Sequence, residues 1–356
     1  MIEIHQIAVG ASRGDAITSM MTEVRDRLRT VGGSEIFAFH TDPGLRSVHP
    51  LRDFPAWTSG QRVIVYHASM GEPQMTKFLL RRREPIVLVY HNITPSEFFV
   101  ESAVEIAALA EWGRRELSLI VDQCVLAIAA SEYNAADLRR YGYGDVAVAP
   151  VGVNPDRLLG HAPDPSFQRR LRDRLGPRYV LSVSQLFPHK RHELVIEAVH
   201  LLQTVHGVDV GLAVVGVARS ASYRRALERM IEELAVQRVY LAGAVSDRQL
   251  ATAYSGAGAF VTASEHEGLA IPPLEAMAFG VPVVARRFGA LADTIGSGGM
   301  VLEPDAGPRH LAEALAEVLT NEALRTALIR KGAQRIEAWQ PDREMARFLD
   351  LIAGVL

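Results

Sequence analysis

Short apolar runs alternate with amphipathic stretches along almost the whole chain, and the alternation stops once and then restarts. The runs at 4–9, 35–39, 62–66, 85–90, 125–130 and 146–148 are nearly continuous in apolar residues, as strands covered on both faces are. Between them, residues 15–31 carry Ile17, Met20, Met21, Val24 and Leu28 at three- and four-residue steps, and 103–119 reads the same way; that spacing is helical. Ser131 stands where it would cap a helix beginning near Asn134. Residues 154–178 break the pattern with four prolines and the arginines at 169, 170, 172 and 174, which reads as a loop, a short helix and a linker. Apolar runs resume at 179–183, 208–215, 239–242, 259–262 and 281–285. Helical segments lie near 190–204, 221–235, 246–254, 272–279 and 308–319, with two more near 321–337 and 342–353.

Strands alternating with helices imply parallel sheets with helices on both faces. The fold class expected is therefore α/β, with two parallel-sheet domains facing each other across a cleft. The expected boundaries are a first domain over 1–155, a linker over 156–178, a second domain over 179–338, and a terminal helix within 339–356 that packs back on the first domain. The length, 356 residues, suits two domains. Such sheets bind ligands beyond the carboxyl ends of their strands, so functional residues are expected just after strands, in loops that open helices.

Composition narrows the function. With 38 basic and 41 acidic residues the net charge is −3, which lacks the positive excess of a nucleic-acid binder. The one cysteine, Cys124, excludes an intrachain disulfide and a zinc site of several thiolates; it opens an apolar run and reads as a buried, inert thiol. The N-terminal residues show no basic-then-apolar leader pattern. The stretch 270–285 is the most apolar long one, but it contains Glu275 and three prolines and is shorter than the ~20 residues of a membrane-spanning helix. A cytoplasmic protein is the expectation. Arg81, Arg82 and Arg83 read first as a solvated helix end, with peripheral contact to anionic lipid as the second reading.

Four constellations fall where the cleft is expected. The first is Glu267-Gly268-Leu269-Ala270-Ile271-Pro272-Pro273-Leu274-Glu275, after the strand at 259–262. Pro272 and Pro273 suit a helix's first turn, Gly268 permits close backbone approach, and N–H groups at such a terminus favour phosphate. Two carboxylates around a phosphate site suit sugar hydroxyls. A surface loop with a capping glutamate is the competing reading. The second is Ser184 to His192, where Lys190 and Arg191 open a helix. Cations there oppose the helix dipole, which points to an anionic ligand unless the pair is simply solvated; Lys190 is one of only three lysines in the chain, with Lys77 and Lys331. The third is His91, directly after the strand at 85–90. The fourth, Gly10 to Ala16, joins the first strand to the first helix without a glycine-rich dinucleotide or P-loop pattern. Gly14 and Asp15 there either line the cleft or, for Asp15, cap the helix. The chain has no Asp-x-Asp, Gly-x-Ser-x-Gly or His-Glu-x-x-His, so no metal site is expected.

These residues carry a resemblance. Val239 to Gly243 with Ser246-Asp247, then Ser264, then Glu267 through Met277, then Gly280-Val281-Pro282-Val283-Val284, resemble the retaining glycosyltransferases of family 4, with Glu267 and Glu275 matching that family's pair of glutamates. Pro150 to Asn154 looks like the family's interdomain boundary, and Tyr90-His91-Asn92 like its cleft histidine. The segments Gly14 to Ile17 and Tyr90 to Pro95 look most like the bacterial polysaccharide and lipopolysaccharide branch, often mannosyltransferases.

The resemblance implies the GT-B fold, two Rossmann-like domains, the first binding an acceptor and the second a nucleotide sugar. It implies roles for the matching positions. Glu267 would hold the donor sugar's hydroxyls, and Gly268, Leu269 and Ala270 would offer amides to sugar and phosphate. Glu275 would bind the ribose, and Lys190, supported by Ser184 and Arg191, the diphosphate. Gly243 would border the base, Gly14 and Asp15 would line the donor site, and His91 would contact the sugar and help position the acceptor. The implied reaction is a metal-independent, retaining transfer of a hexose, mannose in the branch resembled, from a nucleotide-diphosphate sugar to a hydroxyl acceptor. No separate cofactor or nucleic-acid partner is implied. One departure stands out: Gln185 occupies the place of an arginine usual five residues before the lysine. A nucleotide-sugar epimerase on the same fold and a non-catalytic nucleotide-sugar-binding subunit remain as alternatives.

Overall fold

The structure, a computed structural model, describes residues 2–56 and 61–356. Met1, where the first domain is expected to begin, lies outside them. The chain divides into two compact units, Met1–Val153 with Gln340–Leu356, and Asn154–Trp339.

The first unit runs β1 (Glu3–Ala11), α1 (Ala16–Leu28), β2 (Ile36–Thr41), β3 (His49–Pro50), β4 (Arg62–Ala68), α2 (Pro73–Leu79), β5 (Ile86–Tyr90), α3 (Val104–Ile120), β6 (Cys124–Ala129), α4 (Glu132–Arg140) and β7 (Val146–Val148). Its seven strands form one sheet in the order β3-β2-β1-β4-β5-β6-β7, parallel throughout. Every residue of β4 and β5 is buried, which is why β5 and residues 63–66 of β4 read as apolar runs rather than alternating ones.

The second unit contains α5 (Pro165–Leu175), β8 (Tyr179–Val183), α6 (His192–Thr204), β9 (Gly211–Val215), α7 (Ala221–Glu233), β10 (Val239–Gly243), α8 (Asp247–Ser255), β11 (Ala259–Thr262), α9 (Ile271–Ala278), β12 (Val283–Arg286), α10 (Leu291–Ile295), β13 (Gly299–Leu302), α11 (Pro308–Thr320) and α12 (Glu322–Glu337). Its sheet is also parallel, ordered β10-β9-β8-β11-β12-β13. Successive strand residues feed two cores. Val180, Leu212, Val214, Val261 and Val284 pack on one face with Val195, Val199, Leu311 and Leu315. Leu181, Ala213, Val215, Phe260 and Val283 pack on the other with Phe167, Leu171, Tyr254 and Met277. Each large side chain buried in this way contributes about 1.5–3 kcal/mol.

The helix α13 (Pro341–Ala353) belongs to the first unit. Its Met345, Phe348 and Ile352 join Met20, Met21, Val24 and the strand residues Val63, Val65 and Val87 in one core.

Three sequence expectations change. Residues 156–178 are not a linker: Leu158, Phe167, Leu171 and Leu175 are buried in the second unit's core, because α5 carries an apolar stripe that its dense arginines obscure. The strands β3 and β13 are additional; β3 has two residues, and β13 follows Gly298 and begins on Gly299, so both look like turns in sequence. The helices α2 and α10, of seven and five residues, are too short to show a helical period.

Candidate functional site

Both sheets have the doubly wound strand order, and in each the order reverses once, between β1 and β4 and between β8 and β11. The chain leaves such a pair of strands in opposite directions, which opens a crevice beyond their carboxyl ends. In the second unit the loops at that point are 184–191 and 263–270, the two segments singled out in sequence.

The loop after β8 ends in a 3₁₀ turn, Pro188–Lys190. Arg191 then takes a left-handed conformation (φ 53°, ψ 44°) and α6 begins with no side-chain cap. The loop after β11 ends the same way: Ala270 is left-handed (φ 68°) and α9 also starts without a side-chain cap. Left-handed backbone costs an L-residue on the order of 1–2 kcal/mol, so tertiary contacts hold both loops. Glu265 N donates to the His189 carbonyl at 2.8 Å. Ala290 N donates to the Glu267 carbonyl at 2.9 Å. Gly289 packs so tightly there that a Cβ would stand 2.3 Å from the same oxygen.

Lys190 and Glu267 meet directly. The ammonium donates to Oε1 at 2.8 Å, with side-chain exposures of 15% and 17%. Arg191 pairs instead with Glu193 at 3.1 Å and Glu265 at 3.2 Å, and Glu265 also lies 3.5 Å from Arg286. This corrects the view that the cations opening α6 lack a local partner: Glu267 offsets one and Glu193 and Glu265 the other. Ser184 shares a hydrogen bond with His192 Nε2 at 3.0 Å. His192 is buried, and burial, then the nearby Lys190 charge, pushes its pKa down to about 3. His189 beside it is pushed down to about 2 by burial first and Lys190 next. Both rings are neutral at physiological pH, so the positive charge here is that of Lys190, Arg191 and Arg286.

Glu275, one turn inside α9, is 2% exposed. Its Oε1 accepts from Arg157 Nε at 3.0 Å and its Oε2 from the Tyr254 hydroxyl at 2.9 Å; Arg157 also pairs with Asp247 at 3.2 Å. Burial raises the pKa of Glu275, against the opposing pull of Arg157 and Tyr254. A hydroxyl ligand would therefore meet a carboxylate that already has two partners. Gly268 and Leu269 lie between Glu267 and Ala270, and Thr294 Oγ1 donates to the Leu269 carbonyl. Because Pro272 and Pro273 have no N–H, the helix's first turn offers only the Ile271 N–H before them, and the other donors at this terminus come from the loop. Gly243 ends β10 with φ 71° and accepts from Gly216 N at 3.0 Å. Gln185 is exposed.

His91, Gly14 and Asp15 belong to the first unit. Asp15 caps α1, accepting from Thr18 N at 2.8 Å and Thr18 Oγ1 at 2.9 Å. Gly14 precedes it with φ 75°. His91 follows β5 and shares a hydrogen bond with His67 Nδ1 at 3.0 Å. Cys124 is a free, half-buried thiol whose pKa burial raises to about 12. Arg157, Glu265 and His67 escape sequence reading. The first sits among prolines in the supposed linker, the second is one of several carboxylates around Lys190, and the third lies inside a strand. A histidine in an otherwise apolar strand run was the available signal for His67.

Two Rossmann-like units with this strand order define a GT-B protein, and solved structures agree. A sucrose-phosphate synthase from Thermosynechococcus elongatus superposes with a TM-score of 0.73 at 20% identity, over 99% of each chain. Anabaena HepE, solved in complex with UDP-glucose, superposes with a TM-score of 0.71 at 16% identity, over 98% of this chain and 99% of that one. Residues 164–335 match the family described as Glycosyl transferases group 1. A GDP-mannose-dependent alpha-(1-6)-phosphatidylinositol monomannoside mannosyltransferase from Mycolicibacterium smegmatis is 31% identical over 219 residues, 58% of this chain and 55% of the relative. The chain thus spans about half the length of the curated relatives it matches. Among the described residues, no helix is long and apolar enough to cross a membrane.

Proposed function

We propose that the protein is a retaining hexosyltransferase that moves a hexose, mannose first among candidates, from a nucleotide-diphosphate sugar to a hydroxyl acceptor without a metal ion. The observation that carries this reading is the Lys190–Glu267 pair at the switch point of the second sheet. It sets an ammonium and a carboxylate side by side where a sugar diphosphate presents phosphate oxygens next to hydroxyl groups. Similar proteins support it: one is a GDP-mannose-dependent mannosyltransferase, and a structural neighbour was solved with UDP-glucose.

As the glycosidic bond breaks, negative charge grows on the departing diphosphate. Lys190 and the loop amides at 268–270 would stabilise it, and such fixed donors act most strongly where charge develops during the reaction. Arg191, already shared between Glu193 and Glu265, is assigned to holding the loop. Glu267 would trade its bond with Lys190 for sugar hydroxyls. Retention follows if the acceptor attacks on the face the diphosphate leaves and gives its proton to the leaving phosphate. His91 would accept a hydrogen bond from a substrate hydroxyl. The protein is assigned to the cytoplasm.

The test is calorimetry and thermal shift with GDP, UDP, GDP-mannose and UDP-glucose, followed by product analysis with and without a glycan or lipid-linked acceptor. Binding of one nucleotide family, with sugar transfer only when acceptor is present, is expected. Conversion of the nucleotide sugar without acceptor, or no binding of any of the four, overturns the proposal.

A further inference from the structure

A second polar array lies in the first unit. Gln6 on β1, His67 on β4 and His91 just after β5 come from three neighbouring strands. Gln6 and His67 are both 0% exposed, in a sheet whose other buried positions are mostly apolar. A buried glutamine and a buried histidine are costly unless every polar atom is matched, and here the matching has only one consistent direction.

The direction is set at α1. Gln6 Nε2 lies 2.8 Å from the Met21 carbonyl. A carbonyl only accepts, so the amide nitrogen must face it, and the amide oxygen faces His67 Nε2 at 3.0 Å. An amide oxygen also only accepts, so His67 Nε2 carries the hydrogen and donates. Burial holds the pKa of His67 well below its usual value, so the ring is neutral and its Nδ1 is bare. That nitrogen lies 3.0 Å from His91 Nε2, which must then carry a hydrogen and donate to it. The His91 ring is neutral too, since burial brings its pKa down to about 4. Its other nitrogen, Nδ1, is left without a hydrogen.

We infer that Gln6 and His67 are positioning residues that lock His91 in its Nε2–H tautomer, which leaves its Nδ1 a hydrogen-bond acceptor only. The consequence is selective. Nδ1 takes a hydrogen bond from a substrate hydroxyl, and a substrate whose group at that point can only accept would be refused. His91 also has no proton to give on that side at neutral pH. The identity of the hydroxyl-bearing substrate rests on the proposed transferase reading; the tautomer does not.

The experiment is ¹⁵N NMR of the imidazole nitrogens of the full chain at neutral pH without substrate, with the His91 signals assigned by their loss in His91→Gln. In the wild type, His91 should show a protonated-type Nε2 and a bare-type Nδ1. In Gln6→Leu, His67 Nε2 loses the acceptor that fixes its hydrogen, and the two His91 nitrogens should move toward averaged shifts. In His67→Phe, His91 Nε2 loses its acceptor and the two nitrogens should move toward averaged shifts. A wild-type His91 carrying its hydrogen on Nδ1, or already averaged, overturns the inference. An unchanged Nε2–H pattern in folded His67→Phe overturns the positioning role. Because no nucleotide sugar is present, failure of the transferase reading would leave these spectra as they are, and the spectra can fail while transfer succeeds.

Discussion

The ammonium of Lys190 and the carboxylate of Glu267, 77 residues apart in the chain, meet at 2.8 Å between the loops that follow β8 and β11. Neither side chain is more than 17% exposed, so solvent screens the pair less than it would at the surface. The pair occupies the charges that a sugar diphosphate would need. Removing the cation should therefore hurt the reaction more than the fold. Lys190→Ala is expected to lower kcat/KM by more than tenfold, the scale of losing one fixed electrostatic stabiliser at about 2–4 kcal/mol. Steady-state kinetics with the donor identified by calorimetry decide it, and turnover close to wild type would remove Lys190 from the mechanism. Glu267→Gln frees the ammonium, so nucleoside diphosphate should bind severalfold more tightly while sugar transfer falls.

Arg157 and Glu275 form a second pair, of different character. The carboxylate is buried and the guanidinium is 42% exposed at its side chain. Removing one partner of a fully buried pair costs about 3–5 kcal/mol. Exposure of Arg157 lets water screen the pair, so Arg157→Ala is expected to destabilise the second unit by only about 1–2 kcal/mol. Pairing it with Glu275→Gln should recover part of that loss, because the stranded charge goes with the carboxylate. A double-mutant cycle from urea denaturation measures the coupling; strictly additive losses would mean the two side chains do not support one another. Glu275→Ala alone should weaken nucleoside diphosphate binding, and calorimetry showing unchanged affinity would detach Glu275 from the ribose.

Phe348 ties the end of the chain to the first unit. It is 0% exposed and sits in the core formed by α1, β4 and β5. Phe348→Ala leaves a cavity among side chains that cannot fully collapse into it, which costs about 3–5 kcal/mol. The expected outcome is an early transition of the first unit in urea, with the second unit's transition in place. A single, unshifted transition would show that α13 adds nothing to that core.

The fold was legible where burial on two faces writes itself as an apolar run. The strands at 179–183 and 259–262 coincide with β8 and β11 to the residue, and their adjacency at the switch point then put Lys190 and Glu267 within reach of one another. What the sequence concealed was pairing across distance. Lys190 looked like an uncompensated cation because Glu267 lies 77 positions away and returns to it only through the β11 loop. Arg157 was hidden for the same reason, among prolines that read as a linker, while its partner Glu275 stands 118 positions on. Asp15 reads two ways because a helix cap and a ligand contact ask for the same residue type at the same place; its bond from Thr18 N shows the cap.

Glu116 gives a pH dependence whose sign is fixed by its surroundings. It is 0% exposed on α3, accepts from the Tyr66 hydroxyl at 2.5 Å and from the Thr76 hydroxyl, and Trp112 Nε1 donates to that threonine at 2.9 Å. Burial raises its pKa to about 7, with the two hydroxyl hydrogen bonds opposing the shift. An acid whose folded pKa lies above its unfolded value keeps its proton longer in the fold. Its contribution is therefore complete below the ordinary value of 4.5 and is lost as pH rises through about 7. The span corresponds to roughly 3 kcal/mol. Urea denaturation across that window should show the first unit weakening as pH rises, and Glu116→Gln, which cannot ionise, should flatten the slope. An equal slope in the variant would place the titrating group elsewhere.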